Sequence, residues 1–189
     1  MPVVDVTRTY LELRGPHQLR TARAPEPRPQ LERRHLITPA EYLALYTLVG
    51  ERWLWRDRLA WPEPELAAYL GLSDVHVWTA TLDGATTGYF ELKRSSAGES
   101  TEIMYFGLAP AYIGRGLGGW LLTRAAEIAL SLGADRVVLN TCTLDGPHAL
   151  ASLRNLTLGL FRLKNANSIK ETTEWICRDR MRALQFMTT

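Results

Sequence analysis

The sequence is poor in the features that mark secreted, membrane-spanning or metal-binding proteins. It has only two cysteines, Cys142 and Cys177, which cannot make a disulfide framework and favour a reducing, cytoplasmic setting. No apolar run reaches the ~18 residues that a membrane span needs, and the first residues lack the apolar core of a signal peptide. The four histidines are scattered and none pairs with a cysteine at metal-ligand spacing, so we expect no metal site.

The chain also lacks a large excess of positive or negative charge. The net charge is +2 and no long run of Lys and Arg occurs, so we expect neither a nucleic-acid nor a membrane partner. The chain of 189 residues is long enough for one domain with a sizeable core, and we expect a single domain over residues 1–189. Prolines recur within residues 15–34 and predict a loop or extended arm, either a solvated connector or an arginine-lined rim of a substrate site.

The pattern of elements before residue 109 is that of an antiparallel meander with two helices. Thr38, Pro39 and Glu41 form a capping-box signature at the start of a helix that Gly50 ends. Asp83-Gly84 between two β-rich runs is a strong hairpin signal. The predicted strands are 3–13, 75–82, 86–93 and 99–108, and the predicted helices are 39–50 and 63–70.

A strand–helix–strand unit follows the meander. The strand at 99–108, a helix at 116–132 and a strand at 136–144 predict a βαβ unit with two parallel strands. We therefore predict an α/β (α+β) fold, a mixed central sheet with an antiparallel N-terminal meander and one βαβ unit. Beyond this unit the predicted elements are a helix at 147–158, a strand at 160–164 and a helix at 170–186.

Four glycines at the start of the helix predicted over 116–132 indicate an anion site, because a helix N-terminus carries bare N–H donors and partial positive charge. A Walker-type loop is excluded, since no Gly-Lys-Ser/Thr is present. Gly114, Gly116 and Gly119 match the dinucleotide pattern G-x-G-x-x-G. However, five residues separate the strand from the first glycine and an antiparallel hairpin precedes it, which argues against that interpretation. A purely structural turn is the alternative to a phosphate site.

Residues 36–158 resemble the GNAT N-acetyltransferase superfamily, most strongly over Glu102–Leu132 and on through Leu139–Asp145. The family pattern Q/R-x-x-G-x-G/A falls on Ile113–Gly118, with Ile113 at the position of Gln or Arg. The resemblance implies that acetyl-CoA is the co-substrate, that backbone amides of the turn hold its pyrophosphate and that the preceding strand edge pairs with its pantetheine arm. The residues this implies for the co-substrate are Phe106, Gly107, Leu108, Ile113, Gly114, Arg115, Gly116, Leu117, Gly118, Gly119, Asn140 and Asp145.

The resemblance also implies an N-acetyltransferase that moves an acetyl group onto a primary amine of a small molecule or peptide. Glu102 is the candidate general base, because the family often has a glutamate near this place; a solvent-facing strand-end carboxylate is the alternative, and Glu99 and Glu91 are weaker candidates. Leu153 occupies the position of the usual general-acid tyrosine, so an acyl-CoA-binding protein without turnover stays open. Residues 159–189 diverge from the family, and both a monomer and a homodimer stay open.

Overall fold

The computed structural model describes residues 4–146, 149–155 and 169–171, which form eight strands and four α-helices. The strands are β1 (Val4–Val6), β2 (Arg8–Leu13), β3 (Gln30–Arg33), β4 (Val75–Leu82), β5 (Ala85–Arg94), β6 (Ser100–Leu108), β7 (Arg136–Cys142) and β8 (Ile169–Glu171). The helices are α1 (Pro39–Gly50), α2 (Glu63–Leu70), α3 (Leu117–Ser131) and α4 (Ala149–Asn155).

Six strands form one mixed sheet in the order β2-β7-β6-β5-β4-β3. Strands β3 to β6 make an antiparallel meander, β6 and β7 are parallel around the crossover helix α3, and β2 pairs antiparallel with β7. This arrangement confirms the predicted fold class. The N-terminal part of the chain supplies the strands at both edges of the sheet, because β2 and β3 are its outermost members.

A separate two-stranded sheet joins β1 to β8. The helix predicted over 170–186 is therefore wrong at Lys170 and Glu171, which pair with Asp5 and Val4. The rest of that helix and the strand predicted at 160–164 lie outside the described residues. The single strand predicted over 3–13 is divided at Thr7, where the chain passes from one sheet to the other.

Local sequence signals explain why the start of α1 and the turn between β4 and β5 were predicted correctly. The Thr38 hydroxyl accepts from the backbone N–H of Glu41 at 3.2 Å, and the Glu41 carboxylate accepts from the N–H of Thr38 at 2.9 Å, which is a complete capping box. Asp83 and Gly84 both have positive φ, 51° and 78°, as the two central residues of a tight β4–β5 hairpin require. The loop or arm predicted over 15–34 is wrong at Gln30–Arg33, which form β3 and pair with β4. These four residues alternate only between exposed and half-buried, so they show little hydrophobic periodicity.

Each face of the sheet has its own core. On one face α3 packs through side chains such as Trp120 and Leu121 against Phe90 and Ile103. On the other face the core is mainly aromatic and lies beneath α1, α2 and the loop between them. Its buried members are Tyr42, Leu45, Tyr46, Val49, Trp55, Leu66, Val77, Tyr89, Met104 and Tyr105.

Candidate functional site

The parallel strands β6 and β7 separate halfway along β6. They pair only from Ser100–Ile103 to Arg136–Leu139, whereas β6 stays paired with β5 up to Leu108. The separation begins next to a β-bulge, because Met104 is an extra residue on β6 between two successive pairs with β5. A bulge bends its strand and increases the local twist. The bend opens a gap between the second half of β6 and the end of β7.

The glycine turn lies at the end of β6, in front of α3. Gly114 and Gly116 have φ of 81° and 78°, a region that side chains with a Cβ rarely adopt. A Cβ built at either position would meet nothing within 4 Å, and residues 113–116 are exposed. Glycine is thus required here by backbone conformation, and the space before the helix N-terminus is open. No acidic residue lies in the first turn of α3, so an anion would meet no like charge there.

The other two glycines of the turn have different surroundings. A Cβ on Gly119 would lie 3.2 Å from the Cβ of Ala22, in the arm before β3, so this glycine leaves room for the arm. A Cβ on Gly118 would make an ordinary contact with Leu108 at 3.7 Å. Neither residue has the positive φ of Gly114 and Gly116.

A further glycine brings α1 close to the gap. A Cβ on Gly107 would lie 2.5 Å from Cγ1 of Val49, near the C-terminus of α1. On the neighbouring strand, a Cβ on Gly88 would lie 2.5 Å from the carbonyl oxygen of Gly107. The end of α1 therefore packs directly on the part of β6 that has separated from β7, and it forms one wall of the gap.

Glu102 lies at the narrow end of the gap, one residue before the last β6–β7 pair. It is half-buried and opposite Val138, and Nδ2 of Asn140 lies 3.5 Å from its Oε1. Two of the residues predicted from the sequence, one as base and one for the co-substrate, are thus brought together. A carboxylate in this position can accept a proton from an amine in the gap, directly or through water.

Asp145 and Leu153 lie beyond β7. The Asp145 carboxylate accepts from the Thr141 hydroxyl at 2.7 Å and from the backbone N–H of Cys142 at 2.9 Å, so it holds the turn after β7. Leu153 on α4 is 7% exposed and belongs to the core on the α3 face. The position of the usual tyrosine therefore holds an apolar side chain packed into the protein.

A buried carboxylate on β5 was not predicted as the centre of a network. Glu91 is fully buried, accepts hydrogen bonds from the hydroxyls of Tyr42 and Tyr69, and pairs with Nη2 of Arg58 at 3.3 Å. It is therefore engaged in the protein interior rather than placed as a base. Burial and the Glu91 charge raise the pKa of Tyr42 and of Tyr69 well above the usual range, so both phenols stay protonated donors.

The guanidinium of Arg58 completes this network. Its carbon lies 4.1 Å from the ring centre of Trp61 and 4.4 Å from that of Tyr69, both within cation–π range. Burial alone would lower its pKa, but Glu91 together with the surrounding tyrosines outweighs burial and raises it. Arg58 is thus a permanent cation held between a carboxylate and aromatic rings.

Its sequence neighbour Asp57 ties the α1–α2 loop to β6. The buried Asp57 carboxylate accepts hydrogen bonds from the hydroxyls of Tyr46 on α1 and Tyr105 on β6. Tyr105 is in the separated half of β6, which β7 no longer supports. The only sequence signal for this network is the density of Arg and Trp in the loop and the i, i+4 spacing of Tyr42 and Tyr46.

The same loop reaches across the gap. A Cβ on Gly146, in the segment after β7, would lie 3.3 Å from the ring of Trp53. Trp55 points elsewhere and is buried against Tyr46 and Tyr105. Leu54 between the two tryptophans has a φ of 56°, an uncommon conformation for a non-glycine residue. Trp53 therefore joins the wall over β6 to the segment beyond β7.

The described residues contain neither a metal-binding cluster nor a membrane-spanning helix. No three His, Cys, Asp or Glu side chains within residues 4–146, 149–155 and 169–171 are grouped so as to hold a metal ion. None of the helices in the same ranges is both long and apolar enough to cross a membrane.

Comparisons with known proteins agree with this architecture. The family model described as "Acetyltransferase (GNAT) family" matches residues 43–156. A GCN5-related N-acetyltransferase from Kribbella flavida superposes with a TM-score of 0.56 at 18% identity, covering 87% of this chain and 56% of that one. An aminoglycoside acetyltransferase from an uncultured soil metagenomic sample, in complex with sisomicin, gives 0.56 at 15% identity, covering 76% and 93%.

At these identities the superpositions establish the fold alone. The chain spans little more than half the length of the Kribbella flavida structure, at 56%. No curated protein matches the sequence.

Proposed function

Because the chain belongs to the GNAT acetyltransferase family, we propose that it transfers an acetyl group from acetyl-CoA to a primary amine of a small molecule or peptide. The observation that carries the proposal is the gap between β6 and β7 beside the exposed glycine turn. The turn offers bare N–H donors to phosphate oxygens, and the unpaired edge of β6 offers backbone groups to an extended amide-containing chain. These two features suit the two ends of one long donor molecule.

In this proposal the amine attacks the thioester carbon directly. A C–N bond forms and the C–S bond breaks, and the amine loses a proton that Glu102 accepts directly or through water. An alkylamine of pKa ~10.4 is only about 0.04% neutral at pH 7, so a base near the gap increases the reactive fraction. A backbone N–H near Leu108, where β6 lies open, would stabilise the developing oxyanion.

Leu153 leaves the thiolate without a tyrosine donor. A thiol of pKa ~8.5 is a tolerable leaving group unaided, whereas general-acid assistance contributes ~10²–10⁴-fold in typical cases. The buried apolar position of Leu153 favours the second candidate function, an acyl-CoA-binding protein that does not turn over. Release of free thiol from acetyl-CoA in the presence of an amine panel distinguishes the two. Thermal stabilisation by coenzyme A without thiol release would favour the second.

The role of Glu102 is tested by Glu102→Gln. We expect turnover to fall mainly at low pH, where few amines are already neutral. Glu99→Gln is the matched control, because Glu99 is an exposed carboxylate just before the same strand. A pH–rate profile of the Glu102 variant that matches the wild type, or an equal effect of the control, would remove Glu102 from the role of base.

The proposal treats the whole chain as one acyltransferase-like domain. A single domain is supported because one sheet contains strands from both ends of this region. Strand β2 begins at Arg8, well before the βαβ unit, and β7 ends that unit at Cys142. A cytoplasmic location, the lack of nucleic-acid and membrane partners, and the question of a homodimer stay predictions from the sequence.

A further inference from the structure

The arm of residues 14–29 is attached to the first two turns of α3. The backbone N–H of Ala22 donates to the Thr123 hydroxyl at 3.0 Å, and this hydroxyl donates to the carbonyl of Gly119 at 2.9 Å. Thr123 is buried, and Leu19 packs against the core on this face. The arm is therefore not a solvated connector. It is held beside the glycine turn by a partly buried hydrogen bond and by close packing.

Arginines of the arm lie on either side of this attachment. Arg20 and Arg23 are both exposed, two residues before and one residue after Ala22. Arg115 in the glycine turn is also exposed, with its guanidinium carbon 5.3 Å from the ring centre of Tyr112. Within the part of the chain that the structure describes, none of these three arginines forms an ion pair. Their charges are available to a ligand.

The segments that meet here carry charge of one sign only. Residues 13–25 contain no Asp or Glu, and neither do residues 103–126, which include the second half of β6, the turn and most of α3. The nearest carboxylate along α3, Glu127, is paired with Arg124. An exposed surface of this kind attracts a ligand with several negative charges.

Resting on the proposed function, we infer that Arg20 and Arg23 bind the 3′-phosphate of coenzyme A, while the glycine turn binds its diphosphate. Coenzyme A carries these two phosphate groups at separate places on the nucleotide. The amides of one helix N-terminus can hold one of them, and the second needs its own donors. Guanidinium groups bind phosphate oxygens through paired N–H donors, and the attachment of Ala22 keeps these two close to the turn.

Calorimetric titration of coenzyme A and of 3′-dephospho-coenzyme A tests this inference. We expect the wild type to bind coenzyme A about tenfold more tightly or better, as charge-assisted hydrogen bonds to one phosphate predict. The double variant Arg20→Ala/Arg23→Ala should lose this preference and keep its affinity for the dephospho form. Arg28→Ala is the matched control, an exposed arginine of the same arm that lies farther from Ala22.

The outcomes separate the two proposals. Equal loss of affinity for both ligands, an equal effect of the control, or a wild type that binds both ligands alike would overturn the assignment to the 3′-phosphate. A double variant that still prefers coenzyme A as the wild type does would overturn it too. Failure of the wild type to bind either ligand would contradict the proposed function as well. Unchanged binding of the dephospho form also shows that the double variant is folded.

Discussion

Arg58 and Glu91 form a buried ion pair, with Nη2 of the guanidinium 3.3 Å from Oε1 of the carboxylate. Their side chains are 4% and 0% exposed, so water screens neither charge. The pair joins the α1–α2 loop to the central strand β5, beneath the wall of the gap. Removing one member of such a pair leaves the other charge buried without its partner.

Glu91→Gln should therefore lower the free energy of unfolding by about 3–5 kcal/mol, because Arg58 stays buried and loses its counter-charge. Urea denaturation measures the change. Glu127→Gln is the control. The side chains of Glu127 and its partner Arg124 are each more than one-third exposed, so their ion pair should contribute less than about 1 kcal/mol to the free energy of unfolding. Similar values for the two variants would contradict a structural role of the Glu91 network.

Gly107→Ala should destabilise the wall of the gap. The new Cβ would lie 2.5 Å from Cγ1 of Val49, and overpacking of this kind typically costs about 1–3 kcal/mol. Gly107→Ala should therefore cost less stability in a Val49→Ala background than in the wild type. Thermal unfolding of the four proteins measures the coupling. Additive effects would show that the two residues do not contact each other.

Gly119→Ala should loosen the arm. Its Cβ would lie 3.2 Å from that of Ala22, so the arm must shift and the hydrogen bond from Ala22 to Thr123 weakens. We expect faster tryptic cleavage after Arg20 and Arg23, and slower cleavage again when Ala22→Gly is added. Gly118→Ala is the control, because its Cβ would make only an ordinary contact at 3.7 Å. Equal cleavage rates in all variants would argue against the attachment.

His76 should make stability depend on pH. This side chain on β4 is 7% exposed, and burial, followed by the charge of Arg33, lowers its pKa below the usual 6.5. The unfolded chain then binds a proton more readily than the native protein, so stability is complete above pH ~6.5 and falls as the pH drops toward the lowered pKa. His76→Gln should flatten this dependence in urea titrations between pH 5 and 8. A variant with the wild-type slope would exclude His76 as the cause.

The sequence predicted the elements whose signals are local. The capping box at Thr38 and the hairpin at Asp83-Gly84 need only neighbouring residues, and the helix and the two strands that they delimit are confirmed. Strand β3 was missed because an exposed edge strand shows little hydrophobic alternation. Whether such a segment forms a strand depends on its pairing in the tertiary structure.

The candidate site was predictable only in part, for the same reason. The turn and Glu102 belong to one continuous stretch with a family pattern, so the βαβ unit sets their places toward opposite ends of β6. The network around Glu91 joins residues from α1, α2, the loop and β5, and no spacing in the sequence reveals such contacts. Gly119 likewise fits a glycine pattern, whereas its close neighbour Ala22 becomes evident only in three dimensions.

The place of β2 in the sheet has a consequence for the order of folding. Leu11 pairs with Leu139, so a strand made early in synthesis has no partner until almost the whole described sheet has been made. Until β2 docks, β7 keeps an open edge. Pairings between such distant parts of a chain are slow because a long loop must close first. We therefore expect the meander β3–β6 to form before β2 docks, and amides of β2 to gain protection from hydrogen exchange last during refolding.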